Sequence, residues 1–135
     1  RLVELKIYVN GELLSIYNAD GIIVSTPTGS TGYSLSAGGP IIFPQTDVIV
    51  ITPICPHSLQ ARSLVVSGED RIMIEIGRRR KTQKEEAMVT FDGRSAQELE
   101  TGDRIEIYKA QETTQLIRLK GRSFYQVLQN KIGTA

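Results

Sequence analysis

The segment Ser25-Thr26-Pro27-Thr28-Gly29-Ser30-Thr31-Gly32-Tyr33-Ser34-Leu35-Ser36-Ala37-Gly38-Gly39-Pro40 follows directly on the apolar run Ile22-Ile23-Val24. It joins small hydroxyl side chains, glycines and prolines to a single aromatic ring, a mixture too poor in apolar groups to be core. Glycines let the backbone approach a ligand closely, and hydroxyls both donate and accept. A helix beginning near Thr31 would turn its unpaired N–H groups toward an anion, and Tyr33 offers a flat face for a base. Those are the groups that hold a nucleotide. The same composition also describes a Gly/Ser-rich surface loop.

Few other residues carry candidate chemistry. Asp20-Gly21 and Asp92-Gly93-Arg94 read first as turns. His57 is the only histidine and Cys55 the only cysteine, so neither a clustered metal site nor an internal disulfide is predicted. One His with no ordered Ser and Asp around it does not make a nucleophilic triad. His57 therefore reads as structural, and Cys55, between Ile54 and Pro56, as buried and inert. Arg78-Arg79-Arg80-Lys81, followed by Lys84-Glu85-Glu86, reads as a solvated hairpin tip. No aromatic residues interleave with it, which weakens a nucleic-acid reading.

Strands must position these groups. Val3, Leu5, Ile7 and Val9 alternate with Glu4, Lys6 and Tyr8, the pattern of a half-buried strand. Asn10-Gly11 then closes a two-residue hairpin, and 13–17 returns. Further strands are predicted at 22–25 (buried), 47–52 (ended by Pro53), 64–67, 71–76, 87–91, 104–109 and 115–119. A short helix is expected over about 32–37. A terminal one is expected from Ser123 to about Lys131, with Ser123 capping it, a stripe of Phe124, Val127, Leu128 and Ile132, and Gly133 ending it. Many short strands without long helices between them predict an all-β, sandwich-like architecture rather than βαβ units.

A chain of 135 residues fits one domain, and a net charge of +1 sets up no field that would recruit nucleic acid or an acidic membrane. No apolar run has the length of a bilayer span, no signal-type segment follows the first residue, and a lone cysteine suits a reducing cytoplasm. The strand pattern already running at Arg1-Leu2-Val3 suggests a boundary inside a longer protein.

Asp20-Gly21-Ile22-Ile23-Val24 running into STPTGSTGYSLSAGGP, then Thr52-Pro53-Ile54-Cys55-Pro56-His57-Ser58-Leu59, resembles the NAD kinase family. The resemblance continues through Phe91-Asp92-Gly93, Gly102-Asp103-Arg104 and Gly121-Arg122-Ser123-Phe124, and it covers the C-terminal half of such an enzyme. It implies a β-rich NAD-binding domain that also makes dimer or tetramer contacts. An α/β domain carrying the catalytic Gly-Gly-Asp-Gly motif would precede it, so no catalytic residue is expected within these 135. The reaction implied is transfer of the γ-phosphoryl of ATP, or of polyphosphate, to the 2′-hydroxyl of the adenosine ribose of NAD, giving NADP, with Mg²⁺ accompanying the donor. By this resemblance Tyr33 lies on the adenine, Thr31 and Ser36 bond the nucleoside, and Gly32, Ser34 and Leu35 complete the segment. The family usually has Ala in place of Gly32. Asp20 would contact the nicotinamide half, with Asn18, Arg1 and Arg94 further contacts; many relatives have Gln where Arg94 stands. Two other classes fit the same residues: a diacylglycerol-type lipid kinase of the same superfamily, and a non-enzymatic binding or oligomerisation module.

Overall fold

The computed structural model describes residues 2–78, 84–115 and 123–132. Arg1, most of the basic run, residues 116–119 of the last expected strand, Gly121-Arg122 and Gly133 lie outside them.

The described residues form two antiparallel sheets and a ribbon. Strand β1 (Val3–Val9) pairs with β2 (Glu12–Ala19) across Asn10 and Gly11, whose φ values of 51° and 85° are those the two-residue turn demands. Ile7 faces Ser15 but Tyr8 faces Leu13, so Leu14 is an extra residue that bends the edge strand. With β6 (Ile72–Ile76) and β9 (Arg104–Ile107) these strands make a sheet of order β2-β1-β6-β9. The second sheet, order β3-β4-β5, comprises β3 (Gly21–Ser25), β4 (Val48–Ile54) and β5 (Leu64–Ser67).

Period-two alternation decides what lies between them. Val3, Leu5 and Ile7 of β1, Tyr17 and Ala19 of β2, and Ile72, Ile74 and Ile76 of β6 meet Ile49 and Ile51 of β4 in one apolar core. Each fully buried aliphatic side chain there stabilises the fold by about 1.5–3 kcal/mol. On the outer face of the first sheet Glu75 pairs with Arg104 at 2.9 Å and Lys6 at 3.8 Å, tying β6 to both neighbours.

The ribbon pairs β7 (Glu86–Phe91) with β8 (Arg94–Glu100) through Asp92-Gly93. No strand is expected from the sequence at 94–100, because Arg-Ser-Ala-Gln-Glu-Leu-Glu shows no apolar alternation. Backbone pairing to β7 holds it, and only Ala87 and Leu99 reach the core. Two further expectations need correction. β4 runs through Pro53, because β5 stops opposite Ile51 and no described residue pairs with β4 on that side beyond it. β3 is half-buried rather than buried.

The terminal helix α2 (Phe124–Ile132) starts as expected at Ser123. The Ser123 Oγ accepts the Gln126 N–H at 3.2 Å while the Gln126 Oε1 accepts the Ser123 N–H at 3.1 Å, a reciprocal cap. Phe124 and Tyr125 close on Phe43, with ring centroids 5.0 and 5.4 Å apart.

Candidate functional site

Val48-Ile49-Val50-Ile51-Thr52-Pro53-Ile54 is almost continuously apolar, as a strand covered on both faces must be. Ile49 and Ile51 point into the core. Val50 and Thr52 point the other way and are equally buried, because the hydroxyl-rich segment folds back over that face. After β3 the chain makes a 3₁₀ turn at Thr28–Thr31 and a single helical turn, α1, at Tyr33–Ser36.

Hydroxyls replace apolar packing beneath this turn. Ser30 is fully buried; its Oγ donates to the Pro27 carbonyl at 2.7 Å and accepts the Ile42 N–H at 3.3 Å. Ser34 is 1% exposed, and its Oγ lies 3.0 Å from the Thr52 Oγ1, which also accepts the Ser63 hydroxyl at 3.4 Å. Gly39 closes the arrangement. Its N–H donates to the Ser34 carbonyl at 2.8 Å, and a Cβ there would fall 2.4 Å from the Ser34 Oγ. Ser25, at the end of β3, is the exception. Its hydroxyl is buried with no hydrogen-bond partner among the described residues.

The expected helix start near Thr31 falls instead at Tyr33, with Gly32 before it, since Thr31 ends the 3₁₀ turn. The Ser30 and Gly32 N–H groups bond to Pro27 and Gly29 carbonyls, and one turn of helix carries little dipole. The side chains of the turn differ widely in exposure. Tyr33 is 66% exposed, Ser36 and Gly32 are exposed, and Leu35 and Thr31 are half-buried, with the Thr31 hydroxyl donating to the Thr28 carbonyl at 3.3 Å.

Asp20 and Asn18 are exposed at the corner between β2 and β3. The Asp20 N–H donates to the Ile54 carbonyl at 2.9 Å, and the Asn18 carbonyl accepts the His57 N–H at 2.8 Å. Thr52 stands opposite Ile23, three residues from Asp20. At about 3.3 Å per residue, Asp20 is therefore about 10 Å along β3 from the place where Ser34 and Thr52 meet. Asn18, on β2, and Asp20 thus stand where the chain passes from the first sheet to the second, whereas the turn carrying Thr31 to Ser36 follows the other end of β3 and reaches back to Thr52 through Ser34. Arg94 opens β8. It is exposed beside the β7–β8 turn, opposite Phe91, in a ribbon that shares no sheet with β3 or β4. Arg1 lies outside the described residues.

Cys55 is exposed, not buried as the sequence suggests. Its φ of 46° turns the chain sharply after β4. His57 is exposed beside Asn18, Tyr17 and Ser58. Burial raises the pKa of Tyr17, with a bond to Ser15 opposing it, and its hydroxyl donates to the Arg62 carbonyl. Sequence reading gives no individual role to Thr52, Ser63, Gly39 or Ser25. For Thr52 a signal exists, since it is the one hydroxyl in an otherwise apolar strand.

Residues 1–119 match the family of ATP-NAD kinase C-terminal domains. The chain belongs to that family. Among the relatives of this ATP-NAD kinase C-terminal domain, the NAD kinase of Lachnoclostridium phytofermentans is 53% identical over 98% of the chain. The NAD kinase of Carboxydothermus hydrogenoformans is 47% identical over 100% of it. In both cases the chain spans 47% of the relative's own length. Yeast NADH kinase complexed with NADH superposes with a TM-score of 0.71 at 42% identity, over 80% of this chain and 30% of that one. The NAD kinase of Archaeoglobus fulgidus in complex with ATP gives 0.71 at 31% identity, over 82% and 41%. The antiparallel, mostly β architecture is thus that of NAD kinase C-terminal domains.

Proposed function

We propose that this chain is the NAD-holding part of an NAD kinase that transfers the γ-phosphoryl of ATP to the 2′-hydroxyl of the adenosine ribose of NAD, giving NADP. The observation that carries this reading is the turn at Thr31–Ser36, braced from below by Ser34 and offering Tyr33 and Ser36 outward, in a chain 53% identical to an NAD kinase. Tyr33 stacks on the adenine, Thr31 and Ser36 bond the nucleoside, and Gly32 and Leu35 shape the floor. Ser34 serves from beneath. Asp20 holds the nicotinamide half, with Asn18 beside it; Arg1 and Arg94 are outlying contacts of the same proposal.

Phosphoryl transfer depends on positioning and charge neutralisation. In this reading the chain supplies the positioning, residues 1–135 forming a C-terminal NAD-binding domain. The aspartate that orients the 2′-hydroxyl belongs to a preceding α/β domain, consistent with relatives about twice as long. Among the described residues no group of three His, Cys, Asp or Glu side chains is placed to hold a metal. Mg²⁺ would accompany the phosphoryl donor and neutralise charge on its phosphates.

A homo-oligomer is part of the proposal, supported by Leu14 and Ile16 standing half-exposed on the edge strand β2. So are a cytoplasmic setting and the lack of nucleic-acid or membrane partners. Among the described residues no helix is long and apolar enough to cross a membrane.

The test is a coupled assay for NADP. The full-length protein is expected to form NADP from NAD with ATP or polyphosphate, and residues 1–135 alone to form none. A full-length protein inert with both donors overturns the reading; NADP made by residues 1–135 overturns the division of labour.

A further inference from the structure

We infer that Thr52, which faces away from solvent and touches no ligand in the proposed site, is a positioning residue that sets the dinucleotide-binding turn through Ser34. The inference rests on the reading above and deepens it.

Helix α1 cannot hold itself. It is one turn long, below the length at which a helix is stable alone, and no side chain caps its start. Its orientation must come from the surface beneath it, and there Thr52 is the joining point. Thr52 is 1% exposed and is the only hydroxyl of β4. Its Oγ1 lies 3.0 Å from Ser34 on α1 and 3.4 Å from Ser63, just before β5. Gly39 seals the contact from the far side of the turn, its bare Cα leaving room for both hydroxyls. Ser34 sits between Tyr33 and Ser36, the residues assigned to the adenine and the nucleoside. A rotation of α1 about an unanchored Ser34 would swing both away from the ligand. A buried hydroxyl left without its partner also costs free energy, so the turn would shift to satisfy it.

The experiment uses the full-length protein with Thr52→Val, which keeps the shape and loses the hydroxyl, and Thr52→Ser, which restores it. Thr52→Val should raise KM for NAD by about fivefold, the scale of one net hydrogen bond, with kcat and KM for ATP held within about twofold. Thr52→Ser should return KM for NAD to near the starting value. Ser34→Ala should give a rise of similar size, and the double variant no more than Thr52→Val alone, since both break the Ser34–Thr52 contact while Thr52→Val also releases the Ser63 hydroxyl. Unchanged KM for NAD in Thr52→Val overturns the inference, as does a rise that Thr52→Ser leaves in place or that Ser34→Ala adds to. If Thr52→Val yields no folded protein, Ser34→Ala decides: a rise in KM for NAD supports positioning and an unchanged value refutes it. Tyr33→Ala separates the two levels. KM for NAD moved by Tyr33→Ala but not by Thr52→Val defeats this inference alone, whereas KM unmoved by both defeats the site.

Discussion

The Ser34 and Thr52 hydroxyls, 18 residues apart in sequence, stand 3.0 Å apart under the turn at 28–36. That single contact joins the hydroxyl-rich segment to the buried strand β4. It explains how a stretch with almost nothing to bury is nevertheless held in one place. Buried hydroxyls that satisfy one another give direction as well as stability, because a displaced turn would leave them unpaired.

Gly39 makes that contact possible, and Gly39 and Gly32 should respond differently to a methyl group. At Gly39 a Cβ would lie 2.4 Å from the Ser34 Oγ and 2.7 Å from both the Ser34 carbonyl and the Thr52 Oγ1. Gly39→Ala should cost about 1–3 kcal/mol, as overpacking does. At Gly32 the nearest neighbour is the Gly29 carbonyl at 3.4 Å, ordinary contact, so Gly32→Ala should change stability by less than about 1 kcal/mol. Urea unfolding of the full-length protein distinguishes them, and equal midpoints would refute the packing argument.

Tyr33 spends its surface on solvent, so its removal should leave the fold intact. Tyr33→Ala is expected to keep the unfolding midpoint while weakening NAD binding by about 1–3 kcal/mol, the worth of one stacked base. In calorimetry that is a rise in Kd for NAD of about 5- to 150-fold. A Kd that does not move removes Tyr33 from the site.

Local chemistry made part of this architecture legible. Val3, Leu5 and Ile7 alternate and are buried, Asn10-Gly11 is a turn with both φ values positive, and Ser123 caps α2. The segment 25–40 announced itself through residue types. What stayed hidden depends on partners far away in sequence. β8 is a strand because β7 offers it hydrogen bonds, not because Arg94–Glu100 carries an apolar face. Pro53 is tolerated because β5 has already ended. Cys55 is exposed because the backbone turns through positive φ, which its neighbours Ile54 and Pro56 do not foretell. Thr52 and Gly39 acquire their roles only when α1 is laid across β4.

Ser25 invites a substitution in the opposite sense. Its hydroxyl is buried at the end of β3 without a hydrogen-bond partner among the described residues, and such a group pays desolvation with no return. Ser25→Ala should leave the urea midpoint unchanged or raise it, while Ser34→Ala lowers it. A loss above about 1 kcal/mol in Ser25→Ala would mean that its hydroxyl is satisfied by a bound water.

Tyr17 should make the domain sensitive to alkali. Burial raises its pKa above the ordinary value of about 10, against a smaller lowering from the Ser15 bond, and its hydroxyl donates to the Arg62 carbonyl. Because the unfolded chain gives up that proton at lower pH than the folded one, the stabilisation is complete below about pH 10. It is then lost as pH climbs toward the higher folded value. Tyr17→Phe keeps the ring in the core, forgoes the hydrogen bond at about 1 kcal/mol near neutrality, and has no proton to lose. Urea midpoints measured from pH 8 to pH 11 should therefore fall more steeply for the native protein than for Tyr17→Phe, the two curves converging at the alkaline end. Parallel curves would mean that the phenol titrates alike in both states and that its burial carries no electrostatic consequence.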